Sequence, residues 1–145
     1  MHPDPVRQSA SSGAHPPDLS LVIVTYRSAD VIGACLDSVG AAGGVSREVF
    51  VVDNASRDGG PDLVERGYPA VHLIRNNANR GFAAANNQAL TLCRGRVLFF
   101  LNPDTAVRPG ALAAGIAWLD AHPATGLAGA RMVNPDGTPQ ESVSL

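Results

Sequence analysis

The chain has 145 residues, of which 45% are hydrophobic and 17% charged, and its formal net charge is -2. That length suits one domain with a real core, and the composition is ordinary for a globular protein. The 11 basic residues include no lysine and are scattered, so no basic stripe with interleaved aromatics marks a nucleic-acid partner.

The first 18 residues, "MHPDPVRQSASSGAHPPD", hold four prolines and no apolar run, so they read as a disordered leader and not as a secretory signal. His2 and His15 fit a solvated tail better than a metal site. "LSLVIVTY", Leu19 to Tyr26, is an apolar run rich in β-branched residues, as expected of a strand buried on both faces. "ADVIGACLDSVGAAGG" sets Val31, Ile32, Cys35, Leu36 and Val39 on one helical stripe, with Asp30 as the expected N-cap and Gly43–Gly44 as the stop. "EVFVVDNAS" is a second strand closing at Asp53. "GGPDLVERG" predicts a short helix, with Pro61 in its first turn and Gly67 at its end.

"VHLIR" is a third strand, and "GFAAANNQALTLC" is a helix presenting Phe82, Ala85, Ala89 and Leu92 on one face. "VLFFL" within "RVLFFLN" reads as a fully buried fourth strand. "PGALAAGIAWLDAHP" predicts a helix from Pro109 to His122, "GLAGARMV" a fifth strand, and "NPDG" a β-turn. Cys35 and Cys93 each fall in an apolar helical pattern. They read as small buried hydrophobes of a reducing compartment. The chain is therefore expected to be cytoplasmic, with peripheral attachment at the inner face of the membrane left open, and no segment approaches a membrane span.

Strands alternating with helices make a βαβ series, hence an α/β fold with a mostly parallel sheet and helices on both faces. Such sheets bind ligands beyond the carboxyl ends of their strands. Those ends are Thr25-Tyr26, Asp53-Asn54, Arg75-Asn76-Asn77 and Asn102-Pro103-Asp104. The loop after the first strand has no glycine, so a dinucleotide-binding G-x-G-x-x-G is excluded; without lysine a P-loop is impossible, and no G-x-S-x-G elbow is present. Phosphates would then be held through a divalent cation on a strand-end carboxylate, for which Asp104 qualifies; the alternative is a turn acid capping the next segment. Asp53 is either a loop acid in an Asx-turn with Ser56 or Asp58, or an acceptor for a nucleobase or ribose.

"LVIVTYRSADVIGACLDSV", "VVDNASRDGG", "NANRGFAAANNQAL" and "VLFFLNPDT" together resemble the inverting glycosyltransferases of family 2, over Leu19 to about Ser144. The Asn-Pro-Asp-Thr and "NRGFAAANN" forms resemble the rhamnosyltransferase-like branch. The resemblance implies a GT-A fold whose first half binds a nucleoside-diphosphate-sugar, a Mg²⁺ or Mn²⁺ cofactor, a glycan or lipid-linked acceptor, and a place in cell-wall or polysaccharide synthesis. It also implies roles: Thr25 and Tyr26 flank the nucleobase, Asp53 hydrogen-bonds to it, and Ser56 and Asp58 shape the loop over the nucleotide. Gly81 lets the chain pass close to the ligand, Arg80 meets phosphate, and Asn87 supports the site unless it lies on a solvated helix face. Asn102 and Asp104 occupy the acid positions of the family's D-x-D metal motif. An amide in the first place binds metal without charge and therefore more weakly.

An inverting transferase needs a general base for the acceptor hydroxyl. The resemblance puts it in an acceptor half expected beyond Leu145, and Asp120, Asp136 and Glu141 are poor substitutes. Residues 19–145 are thus expected to be the donor-binding part, truncated before that half. Two rivals stand: a non-catalytic nucleotide-binding module or degenerate remnant, and a flavodoxin-like receiver, which lacks its acid cluster after the first strand.

Overall fold

A computed structural model describes residues 15–140. Eight elements follow in strict alternation: β1 (Leu19–Thr25), α1 (Ile32–Ala41), β2 (Arg47–Asp53), α2 (Gly60–Gly67), β3 (His72–Arg75), α3 (Phe82–Leu90), β4 (Val97–Leu101) and α4 (Ala111–Ala121). The strands form one sheet in the order β3-β2-β1-β4, and every pairing is parallel. The first four of the five predicted strands and all four predicted helices are present, in the predicted order.

β1 lies between two strands and is buried along its whole length, which explains its apolar character on both faces. On one face Leu21 and Ile23 pack with Val51 and Leu101 against Ile32, Cys35, Leu36 and Val39 of α1 and Val64 of α2. On the other, Val22, Val24, Phe50 and Val52 pack against Ala85 and Ala89 of α3. Leu112 and Ile116 of α4 join Leu19 and Ala42, flanked by Val97 and Phe99. Alanine on α3 lets that helix sit close to the sheet.

Several expectations are corrected. Residues 126–132 form no strand; only an isolated bridge joins Val133 to Pro139, and Leu127 is 88% exposed. Gly126, Ala128, Gly129 and Ala130 carry too little side chain to bury, so the segment has no apolar face to drive pairing. β4 is not fully buried: Val97 and Phe99 are half-buried, only Leu101 is buried, and Leu98 and Phe100 on the α3 side of the sheet are 44% exposed. On α3, Ala85 and Ala89 face the core as predicted, but Phe82 and Leu92 are exposed. α1 begins without a side-chain cap: Val31 holds the N-cap position, Ile32 N–H donates to the Ser28 carbonyl, and Asp30 stays at the surface. α4 starts two residues later than expected, since Gly110 is left-handed at φ 77°.

Pro17 and Asp18, assigned to the leader, are tied to the sheet. Arg96 and Val97 N–H groups donate to their carbonyls, and Asp18 exchanges hydrogen bonds with Ser46. Residues 1–14, with His2, and residues 141–145, with Glu141, lie outside the described residues. The Asn134–Gly137 turn forms as predicted, closed by Gly137 N–H to the Asn134 carbonyl at 2.9 Å. Among the described residues no helix is long and apolar enough to cross a membrane.

The amino-terminal edge of the sheet is fastened by a buried carboxylate. Glu48 accepts the Ser20 hydroxyl and the Arg94 backbone N–H, each at 2.6 Å, and the Arg94 guanidinium at 3.1 and 3.2 Å. Gly95 N–H donates to Ser20 Oγ, and a Cβ at Gly95 would stand 2.3 Å from the Ser20 nitrogen, so only glycine fits there. Burial pushes the Glu48 pKa up, but the hydrogen bonds from Ser20 and Arg94 outweigh it and leave the carboxyl below its ordinary 4.5. The folded chain therefore takes up this proton less readily than the unfolded chain. That stabilisation is complete above pH 4.5 and is lost as the pH falls through the lower folded value. Glu48→Gln should cost about 1–3 kcal/mol at neutral pH, and it should flatten the acid limb of the urea-midpoint profile. An acid limb as steep as that of the parent would show that Glu48 is not the titrating group.

Candidate functional site

Parallel pairing fixes where the polar residues gather. Asp53 lies level with Thr25 on β1 and with Arg75 on β3. On β4, Leu101 pairs with Ile23, so Asn102 and Asp104 follow at the same carboxyl edge. Two hollows open there and beside it. One, of about 280 Å³, is lined by Tyr26, Arg27, Asn54, Ala55, Arg57 and residues 77–79. The other, of about 490 Å³, is lined by Arg27, Ala29, Asp30, Arg57 and Asp58. Arg27 and Arg57 are common to both.

Asp53 is 2% exposed. Its Oδ1 accepts the Thr25 hydroxyl at 3.1 Å and its Oδ2 accepts the Ser56 N–H at 2.9 Å. The Asx-turn considered from the sequence is therefore made, with Ser56. Two partners leave a carboxylate with acceptor capacity to spare, so the turn does not exhaust Asp53. Thr25 is buried with its hydroxyl on Asp53, so it braces the acid, while Tyr26 beside it is half exposed and lines the smaller hollow.

The loops after β1 and β2 are laced together. Ser56 Oγ accepts Arg27 N–H at 2.9 Å, Asp58 Oδ2 accepts Ala29 N–H at 2.9 Å, and Asp58 Oδ1 accepts Gly60 N–H at 3.0 Å. These backbone donors, Ala29 first, hold the Asp58 carboxyl below its usual range against the opposing effect of burial. The lacing holds two non-glycine residues in left-handed backbone, Arg27 at φ 54° and Ala55 at φ 65°. Each such residue costs about 1–3 kcal/mol, and strain of this kind concentrates at ligand-binding edges. The Arg27 guanidinium lies 5.2 Å over the Tyr26 ring.

Gly81 takes φ 79° and ψ 167°, a conformation open to glycine alone, directly before α3. Arg80 is exposed next to it. Asn87 is exposed on α3, and its neighbour Asn86 is the buried one, bonded to the Phe82 carbonyl.

Asn102 and Asp104 are both exposed, and they are oxygen donors of the kind that suits Mg²⁺ or Mn²⁺. Among the described residues no three His, Cys, Asp or Glu side chains converge as a ready-made cage. Two such donors fit a cation that takes its remaining ligands from substrate phosphates and water. Burial, with the Asp104 charge beside it, pushes the Cys35 thiol up to about 11, so this cysteine is an inert filler behind the site.

Asn54, Arg27 and Arg57 line the groove without having been assigned a role from the sequence. Asn54 was legible as a strand end, and Arg57 sits between two residues that were singled out. The missing signal was their convergence across two loops.

A model of Glycosyl transferase family 2 matches residues 20–144. The chain belongs to that family. The succinoglycan biosynthesis protein ExoO of Rhizobium meliloti (strain 1021) is 41% identical over 97 residues, covering 66% of this chain and 28% of its own length. An N-acetylglucosaminyl-diphospho-decaprenol L-rhamnosyltransferase of Mycobacterium tuberculosis is 28% identical over 131 residues, 83% of this chain and 43% of its own. The solved mannosyltransferase PcManGT from Pyrobaculum calidifontis, in complex with GDP-Man and Mn²⁺, superposes with a TM-score of 0.71 at 29% identity, over 84% of this chain and 37% of that one. The fold is thus of the GT-A type, and the chain spans less than half the length of these relatives.

Asp53→Ala tests the hold of this acid on the two loops. Alanine removes both acceptor oxygens, so the Thr25 hydroxyl and the Ser56 N–H lose their partner. The variant should lose about 1–3 kcal/mol in denaturant unfolding. Unchanged stability would mean that the acid does not hold the two loops.

Proposed function

We propose that this chain binds the nucleoside-diphosphate-sugar donor of an inverting glycosyl transfer, with the sugar passing to a glycan or lipid-linked acceptor in polysaccharide or cell-wall synthesis. The observation that carries the reading is the arrangement at one sheet edge: a buried carboxylate with spare acceptor capacity, an exposed tyrosine, flanking arginines and two hard oxygen donors. The bound nucleotide-sugar and Mn²⁺ of the mannosyltransferase neighbour support it, and the rhamnosyltransferase relative supports rhamnose as the sugar.

In this reading Tyr26 offers its ring to the base and Asp53 accepts an N–H from the base edge. Arg80 lies against the diphosphate, and the loop held by Ser56 and Asp58 keeps Arg27 and Arg57 on the wall of the groove. Asp104 and Asn102 would hold the Mg²⁺ or Mn²⁺. Such a cation neutralises charge that builds on the departing diphosphate. The acceptor hydroxyl must lose a proton as the sugar leaves. Asp120 is paired with Arg96 and Asp136 with Thr138, so neither stands ready to take it. Donor binding is the activity proposed for the described residues, and a non-catalytic nucleotide-binding module is the alternative reading.

Calorimetry with UDP, dTDP and GDP, in Mn²⁺ and in chelator, tests this. At least one nucleotide should bind more tightly with Mn²⁺, by about tenfold or more, and Asp104→Ala should abolish that increment while weak metal-free binding survives. Equal affinity with and without Mn²⁺ would remove Asp104 from the metal role, and no binding of any nucleotide would overturn the function.

A further inference from the structure

Asn54 is 2% exposed, and its side chain is directed wholly at the segment leading from β3 into α3. Its Oδ1 accepts from Asn76 Nδ2 at 3.0 Å and from the Arg80 N–H at 3.4 Å. Its Nδ2 donates to the Gly81 carbonyl at 3.3 Å. Asn76 in turn exchanges hydrogen bonds of 2.8 and 2.9 Å with Gln88 on α3. The backbone of Asn54 is fixed separately, by its N–H on the Thr25 carbonyl at 2.9 Å. The side chain is thus not needed for the strand register, and what it secures is the loop.

Apart from these contacts the loop is held at its ends, by the Asn76 N–H on the Asp53 carbonyl at 2.8 Å and the Gly81 N–H on Asn79 Oδ1 at 2.9 Å. Residues 77–81 are all exposed, and residues 77–79 line the smaller hollow together with Asn54. A short polar loop ending in a positive-φ glycine has much conformational freedom to lose. A flexible arginine contributes to binding only what remains after its ordering cost, so holding its backbone in advance raises affinity.

We propose that Asn54 is a positioning residue that holds the Asn76–Gly81 loop so that Arg80 stands at the phosphate end of the groove. Its contribution then falls on the diphosphate and not on the nucleobase, which Tyr26 and Asp53 meet. The inference rests on the donor-binding reading above.

The test titrates UDP and uridine, both with Mn²⁺, into the parent chain, Asn54→Ala, Arg80→Ala and the double variant. Asn54→Ala should weaken UDP by about ten- to a hundredfold and leave uridine unchanged. Arg80→Ala should do the same, and the double variant should be no worse than Arg80→Ala, because the two act through one contact. Backbone amide exchange should quicken in residues 77–81 and not in β1 or β2. A purely structural residue would weaken both ligands alike, or its loss would multiply with that of Arg80; either result overturns the proposal. Should Asn54→Ala fail to fold, Asn54→Ser keeps an uncharged polar group that is too short to span Asn76, Arg80 and Gly81 together, and a smaller loss confined to UDP is expected. Uridine and UDP weakening equally in that variant overturns it too. If the parent binds UDP and Asn54→Ala binds it equally, this proposal alone falls; if the parent binds no nucleotide, the functional reading falls with it.

Discussion

Everything at the candidate site depends on β1 pairing in parallel on both sides. A parallel ladder brings all strand ends of one sense to the same edge, and the central strand sets the level at which each neighbour stops. Asp53 sits opposite Thr25 only because Leu19 pairs with Arg47, and Asn102 follows Leu101 at that edge only because Leu101 pairs with Ile23. A slip of one residue would turn Asp53 to the opposite face of the sheet. The burial of β1 on both faces makes such a slip costly, since it would exchange the residues facing α1 for those facing α3.

The two ends of the sheet are built on opposite terms. The amino-terminal end is closed by the Ser20–Glu48–Arg94 contacts and by a glycine that admits no side chain. The carboxyl end holds left-handed Arg27 and Ala55, an exposed tyrosine, and loops fixed by carboxylates that accept backbone N–H groups.

The alternation of strands and helices was legible because buried β-branched runs and helical stripes are local patterns. So was the strand-end gathering, which follows from parallel pairing alone. What escaped depended on neighbours distant in sequence. The run Val97–Leu101 reads as buried on both faces, yet α3 stops short of Leu98 and Phe100. The segment 126–132 shows hydrophobic composition without enough side chain to pair. Asp30 has a capping residue's identity, but the Ser28 carbonyl and the Asp58 carboxylate take the N–H groups of the helix entry. Asn54 reads as a bystander to Asp53 until the loop it holds is seen folded back over it.

The most direct measurement of the central claim, that the carboxyl edge of this sheet is the donor site, is a two-dimensional NMR titration of the labelled chain with UDP and Mg²⁺. Amide shifts should move at residues 25–27, 53–58, 76–81 and 102–105, at one common saturation, while Leu19, Arg47 and Gly95 at the opposite edge stay fixed. Shifts centred on that opposite edge, or scattered over the surface without saturating, would contradict the account.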